Sequence, residues 1–160
     1  MSDPLWLEQA QLHLGTKEWA GARHNPAIVA FFKLAGFPGF RDDETPWCAA
    51  FANAVLKQAG HVGTGKLTAR SFLKWGRALY TPERGAVAVF RRGRSTWQGH
   101  VGFVVGSTAT HLDILGGNQS DAVTCSAYPR SKLLGLRWPA SVPTQTELRT
   151  KSFLNQETRP

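Results

Sequence analysis

The sequence predicts an α+β fold in which N-terminal helices pack on an antiparallel sheet. Apolar residues recur at helical spacing through the first half of the chain and at strand spacing through the second. The period changes once, after Gly76, whereas alternating βαβ units would change it repeatedly.

The first helix is expected over Pro4–Leu14, where Leu5, Trp6, Ala10 and Leu14 share a face. Asn25-Pro26 supplies a cap and a proline at the first helical position, so a second helix should run from Ala27 through Phe32 and Ala35 to Gly36. Thr45-Pro46 predicts the start of a third, carrying Trp47, Ala50, Phe51, Ala54, Val55 and Leu56 to a stop at Gly60. A short fourth is expected from Thr68 to Trp75, ended by Gly76. The strands follow. Ala86–Phe90 is a buried-type run that leads into an arginine turn, Arg91-Arg92-Gly93-Arg94. Val101, Phe103 and Val105 alternate with His100, Gly102 and Val104. A strand around Leu112 and Ile114 should end at Gly116-Gly117-Asn118, and two more are expected over Ala122–Tyr128 and Leu133–Trp138. Residues 1–139 are thus read as one domain. Residues 140–160, where Ser, Thr, Gln and Glu predominate, are read as a loosely held tail.

Composition narrows the function. The 160 residues include two cysteines, Cys48 and Cys125, too few for a disulfide framework or a cysteine-rich zinc site. Neither a metal nor a cofactor is expected. The formal net charge of +8 favours a polyanionic partner such as an anionic cell surface, although Arg91-Arg92-Gly93-Arg94 is equally well read as a solvated hairpin tip. No nucleic-acid-binding motif is present, so nucleic acid is not expected. The segment Met1–Trp6 has no signal-peptide character and no apolar run is long enough to span a bilayer, so the expectation is a monomer made without a signal peptide and without a transmembrane segment.

Glu44-Thr45-Pro46-Trp47-Cys48-Ala49-Ala50-Phe51 is the most informative segment. If Thr45 caps the helix, Cys48 lies in its first turn, where unpaired N–H groups and the helix dipole favour a thiolate. The same groups can stabilise the oxyanion formed when that thiolate attacks a carbonyl. Asp42, Asp43 and Glu44 oppose this, so a cationic partner is needed. A small buried hydrophobe is the competing reading of Cys48, and the one adopted for Cys125. Among five histidines His100 is the preferred base, because it opens a strand between Gly99 and Val101 with Gly102 clearing its face; His111 is second. Asn118, ending the next strand, can orient an imidazole, or can equally be a turn residue beside glycines.

A cysteine at a helix start, a histidine opening a strand and a polar residue ending the next resemble the CHAP and NlpC-type cell-wall hydrolases, a papain-like group of peptidoglycan amidases and endopeptidases. Asp42–Phe51, Trp97-Gln98-Gly99-His100-Val101-Gly102-Phe103 and Leu115-Gly116-Gly117-Asn118-Gln119 are similar to a compact branch found in phage endolysins and prophage proteins. The similarity spans roughly Pro4 to Pro139.

The resemblance implies Cys48 as nucleophile, His100 as base and then acid, and Asn118 as third member, with Trp47, Trp97, Gln98, Gln119 and Glu44 on the substrate side. It implies cleavage of a peptidoglycan amide through a cysteine thioester, and an endolysin held in the host cytoplasm until a holin-type release. A secreted antibacterial effector with the same chemistry is the alternative, and a non-catalytic basic module binding wall or nucleic acid is the rival of another class. Some relatives bind calcium through acidic loops, but Asp42-Asp43-Glu44 lacks the alternating ligand spacing of such a site.

Overall fold

The computed structural model describes residues 2–21, 23–40 and 46–157. Among them, helices α1 (Leu5–Leu12), α2 (Pro26–Leu34) and α3 (Cys48–Gln58) precede six strands, β1 (Arg77–Leu79), β2 (Val87–Arg91), β3 (Gly99–Ser107), β4 (His111–Gln119), β5 (Ala122–Pro129) and β6 (Leu133–Trp138). A last helix, α4, spans Gln145–Glu157. The strands form one antiparallel sheet in the order β1-β6-β2-β3-β4-β5, so the α+β expectation holds.

Helix α2 begins as its sequence dictates, with the Asn25 side chain accepting from Ala27 N–H at 2.9 Å and Pro26 in the first turn. Helix α3 is buried from Cys48 to Leu56 because it lies between the other helices and the sheet. An edge-to-face ladder crosses these layers, Phe31 of α2 meeting Phe51 of α3 at 5.2 Å and Phe51 meeting Phe103 of β3 at 6.5 Å. Burying each such ring contributes roughly 1.5–3 kcal/mol, which anchors α3 to both layers.

Three elements differ from expectation. Thr68–Trp75 yields a 3-10 helix over Ala69–Lys74 rather than an α-helix. Strand β1 has only three residues, half-exposed at the sheet edge, too short for any period to announce. The expected loose tail is helical over Gln145–Glu157. Thr144 Oγ accepts from Glu147 N–H at 3.1 Å while the Glu147 carboxylate accepts from Thr144 N–H at 3.3 Å, a reciprocal cap. Glu147 also pairs with Arg77 of β1 at 2.7 Å, tying the helix to the sheet. Thr144-Gln145-Thr146-Glu147 was the signal that could have revealed this helix. No described helix is long and apolar enough to cross a membrane.

Candidate active site

Helix α3 starts at Cys48, with Trp47 as its N-terminal boundary residue and no side-chain cap. Thr45, expected as the cap, lies outside the described residues, as do Arg41, Asp42, Asp43 and Glu44, the last a candidate substrate residue. Cys48 nonetheless falls in the first turn. Backbone N–H groups of Val101, Ala49 and Cys48 itself reach its sulfur, and each favours the thiolate. Val101 can do so because the β3–β4 ladder begins only at Phe103↔Leu115, leaving the β4-facing side of residues 99–102 unpaired. Val104 N–H bonds Ala86 O on the β2 side, so by alternation Val101 N–H points the other way. The thiol therefore lies beside the start of β3, where His100 stands.

The helix start does not win the electrostatic balance that the sequence suggests. Burial pushes the Cys48 thiol up from its ordinary value, outweighing those N–H groups and the Arg92 guanidinium, which favour the anion. His100, only 6% exposed, is pushed down to about 4, first by burial and further by Arg92. Both groups are therefore held neutral at rest. The pair is thus not a standing thiolate–imidazolium ion pair.

The partner of His100 is Gln119. His100 Nε2 lies 2.8 Å from Gln119 Oε1, and both side chains are buried. Gln119 Nε2 donates to Ile114 O at 3.2 Å and to Thr124 O at 2.7 Å, and carbonyls only accept, so the amide can point only one way. Its oxygen must then accept from His100, which places the proton on Nε2 and leaves Nδ1 of the neutral ring unprotonated. Tyr128 stacks on the imidazole at 5.0 Å and on Phe90 at 4.8 Å, fixing the ring plane. Its hydroxyl is pushed up to about 12 by burial and by the nearby Cys48.

Asn118, expected as the third member, does not make this bond. A Cβ on Gly116 would point at the pair, 2.6 Å from Gln119 Oε1 and 3.2 Å from His100 Nε2. In a regular strand residue 118 would share that face. Asn118 instead takes a left-handed φ of 57° where the β4–β5 register shifts, and this bulge hands the position to Gln119. Ser120 and Asp121, both with positive φ, then turn the chain into β5. Gly117 has its own constraint, since a Cβ there would meet Phe51 and Trp47 at 2.7 Å. Its absence lets the start of α3 close on β4. Gly102 clears Ile114 and Leu115 of β4 rather than the cysteine helix.

The other candidate residues separate. Trp47 is fully buried, stacks on Phe31 at 5.9 Å and donates to Glu18 Oε1 at 2.8 Å, so it supports the site and is closed to a substrate. Trp97 is 68% exposed and, with Gln98, lines a small cavity of about 140 Å³ that Cys48 opens into. Arg92 lines the same cavity, so this arginine of the β2–β3 turn serves the site and is not simply a solvated tip. Arg70 holds that loop, donating to Gln98 O and Ser95 O, each at 2.7 Å. His111 bonds Thr110 Oγ at 2.8 Å at the far end of β4, away from Cys48. Among the described residues no group of acidic, histidine and cysteine side chains is arranged to hold a metal. Sequence reasoning missed Tyr128, Arg70 and Arg92 because their roles depend on cross-strand neighbours, and gave Gln119 a substrate role because the bulge is invisible in composition.

The family model of the CHAP domain matches residues 40–118, a span that holds Cys48 and His100 and ends one residue before Gln119. No curated protein matches the chain.

Proposed function

We propose, from the match of residues 40–118 to the CHAP domain, whose members are generally cysteine- and histidine-dependent amidases or peptidases, that the chain hydrolyses an amide bond of peptidoglycan through a thioester on Cys48. The observation that carries the reading is the fixed Gln119 amide, because it leaves His100 Nδ1 unprotonated in a residue next to Val101, whose N–H reaches the first-turn cysteine.

In the first half-reaction His100 Nδ1 takes the thiol proton as Cys48 Sγ bonds to the amide carbon. Negative charge moves to the carbonyl oxygen, where N–H groups of the first turn of α3 stabilise it. The imidazolium, still bonded to Gln119 through Nε2, gives its proton to the leaving nitrogen as the C–N bond breaks. Water then attacks the thioester. His100 accepts its proton, a carboxylic acid leaves, and the proton returns to sulfur. Burial works in opposite directions on the two transfers: it makes the imidazolium a strong acid toward the leaving amine, and it makes the neutral ring a weaker base toward the buried thiol, so the first transfer is coupled to attack on the carbonyl.

The biological role that fits is lysis of a bacterial wall, as by a phage endolysin. Supporting it is the net charge of +8, which draws the protein to an anionic wall. The test is turbidity of purified peptidoglycan. Wild type clears it, while Cys48→Ala and His100→Ala do not; equal clearing by wild type and Cys48→Ala, or none by wild type, refutes the reading.

A further inference from the structure

The small cavity at Cys48 continues into a larger cleft of about 610 Å³, the two sharing Thr68 and Trp97 in their walls. Lys66 and Lys74 stand exposed in that cleft, with the Trp75 and Trp97 rings beside them. Neither lysine is ion-paired among the described residues. A cleft with two uncommitted ammonium groups, two indoles and threonine hydroxyls suits a ligand bearing carboxylates on an otherwise neutral framework.

Both rims of the cleft are tied to the catalytic elements. Asn53, one turn beyond Ala49 on α3 and 4% exposed, accepts from Thr64 N–H at 2.7 Å and donates to Ala49 O and Lys66 O, each at 3.0 Å. The loop that carries Lys66 is thus pinned to the helix that carries the nucleophile. On the other rim Arg70 clamps the Ser95–Gln98 loop that carries Trp97 and leads into His100. Trp75 donates to Val62 O at 2.8 Å, which fixes its ring. These bonds therefore fix the backbone at Lys66 and the loop of Trp97 relative to α3 and β3, so a substrate held along the cleft approaches Cys48 in a limited register.

We propose that this cleft is an extended substrate subsite in which Lys66 and Lys74 bind free carboxylates of the peptide stem while Trp97 packs against the framework next to the bond cut at Cys48. The assignment rests on the hydrolase reading for its ligand, but it is tested by binding, without turnover. The probe is purified peptidoglycan, native or with its carboxylates amidated, sedimented with the inactive Cys48→Ala protein. Adding Lys66→Gln and Lys74→Gln weakens binding to the native polymer by about tenfold, and amidating the polymer removes about the same factor from the parent and little more from the lysine variant. Alkylation of Cys48 by iodoacetamide in Lys66→Gln/Lys74→Gln, with the cysteine present, proceeds at the wild-type rate and shows an intact site. Binding of native polymer unaffected by the lysine changes, or weakened equally on native and amidated polymer, overturns the proposal. So does a Cys48→Ala protein that fails to sediment with native polymer at all. Lysine-dependent binding by a wild type that cuts nothing instead refutes the hydrolase reading and leaves the subsite standing.

Discussion

Burial and hydrogen bonding pull His100 in opposite directions, and burial prevails, taking the imidazole from 6.5 to about 4 although Gln119 favours its charged form. The consequence for stability has a definite sign. Between those pH values the unfolded chain binds a proton that the folded one refuses, so stability is intact above pH 6.5 and is lost as the pH falls toward about 4. The loss is on the order of 3 kcal/mol. Urea unfolding followed across this range should show the slope in wild type and a shallower one in His100→Ala; the same slope in both would contradict the assignment. Gln119→Glu should raise the His100 pKa by placing a carboxylate on Nε2, moving the acid limb of kcat/KM upward. An acid limb that stays put would show that residue 119 does not face the base. Cys48 and His100 were legible in the sequence because a helix-start cysteine and a strand-start histidine follow from local signals. Gln119 was not, because one left-handed residue, Asn118, reverses which side chain faces the site.

At the level of elements, the site is the seam between the N-terminus of α3 and the opened edge of β3 and β4. Local periodicity was enough to foresee α1, α2, α3 and strands β2 to β6, because each has a buried face that must repeat. Strand β1 and helix α4 escaped it, since an edge strand of three residues and a helix with no buried residue have no such face. What closes the seam is a missing side chain. Gly117→Ala places a methyl at 2.7 Å from both Phe51 and Trp47, so α3 and β4 must separate. The expected cost is about 1–3 kcal/mol, with a larger fractional loss of activity than of stability because the displacement falls on the helix that carries Cys48. Thermal unfolding alongside the peptidoglycan assay checks this, and full activity in Gly117→Ala would show that the seam tolerates a shift.

Over the whole molecule, one sheet supplies His100, Gln119 and Tyr128, the proposed base with its orienter and stacking partner, while α3 supplies Cys48, the proposed nucleophile, and two pinned loops supply the walls of the cleft. Net charge was readable at once and pointed to an anionic partner, but only the fold shows that Arg92, Lys66 and Lys74 line cavities at or beside the cysteine. In the proposed reaction a peptidoglycan amide acylates Cys48 as its amine leaves, and water then releases the acyl group as a carboxylic acid. Mass spectrometry of the soluble muropeptides after digestion of purified peptidoglycan tests that most directly. Wild type should yield fragments in which one amide has gained water, leaving a new carboxylate and a new amine, and Cys48→Ala should yield none. An unchanged muropeptide profile with wild type, or the same new fragments from Cys48→Ala, would contradict it.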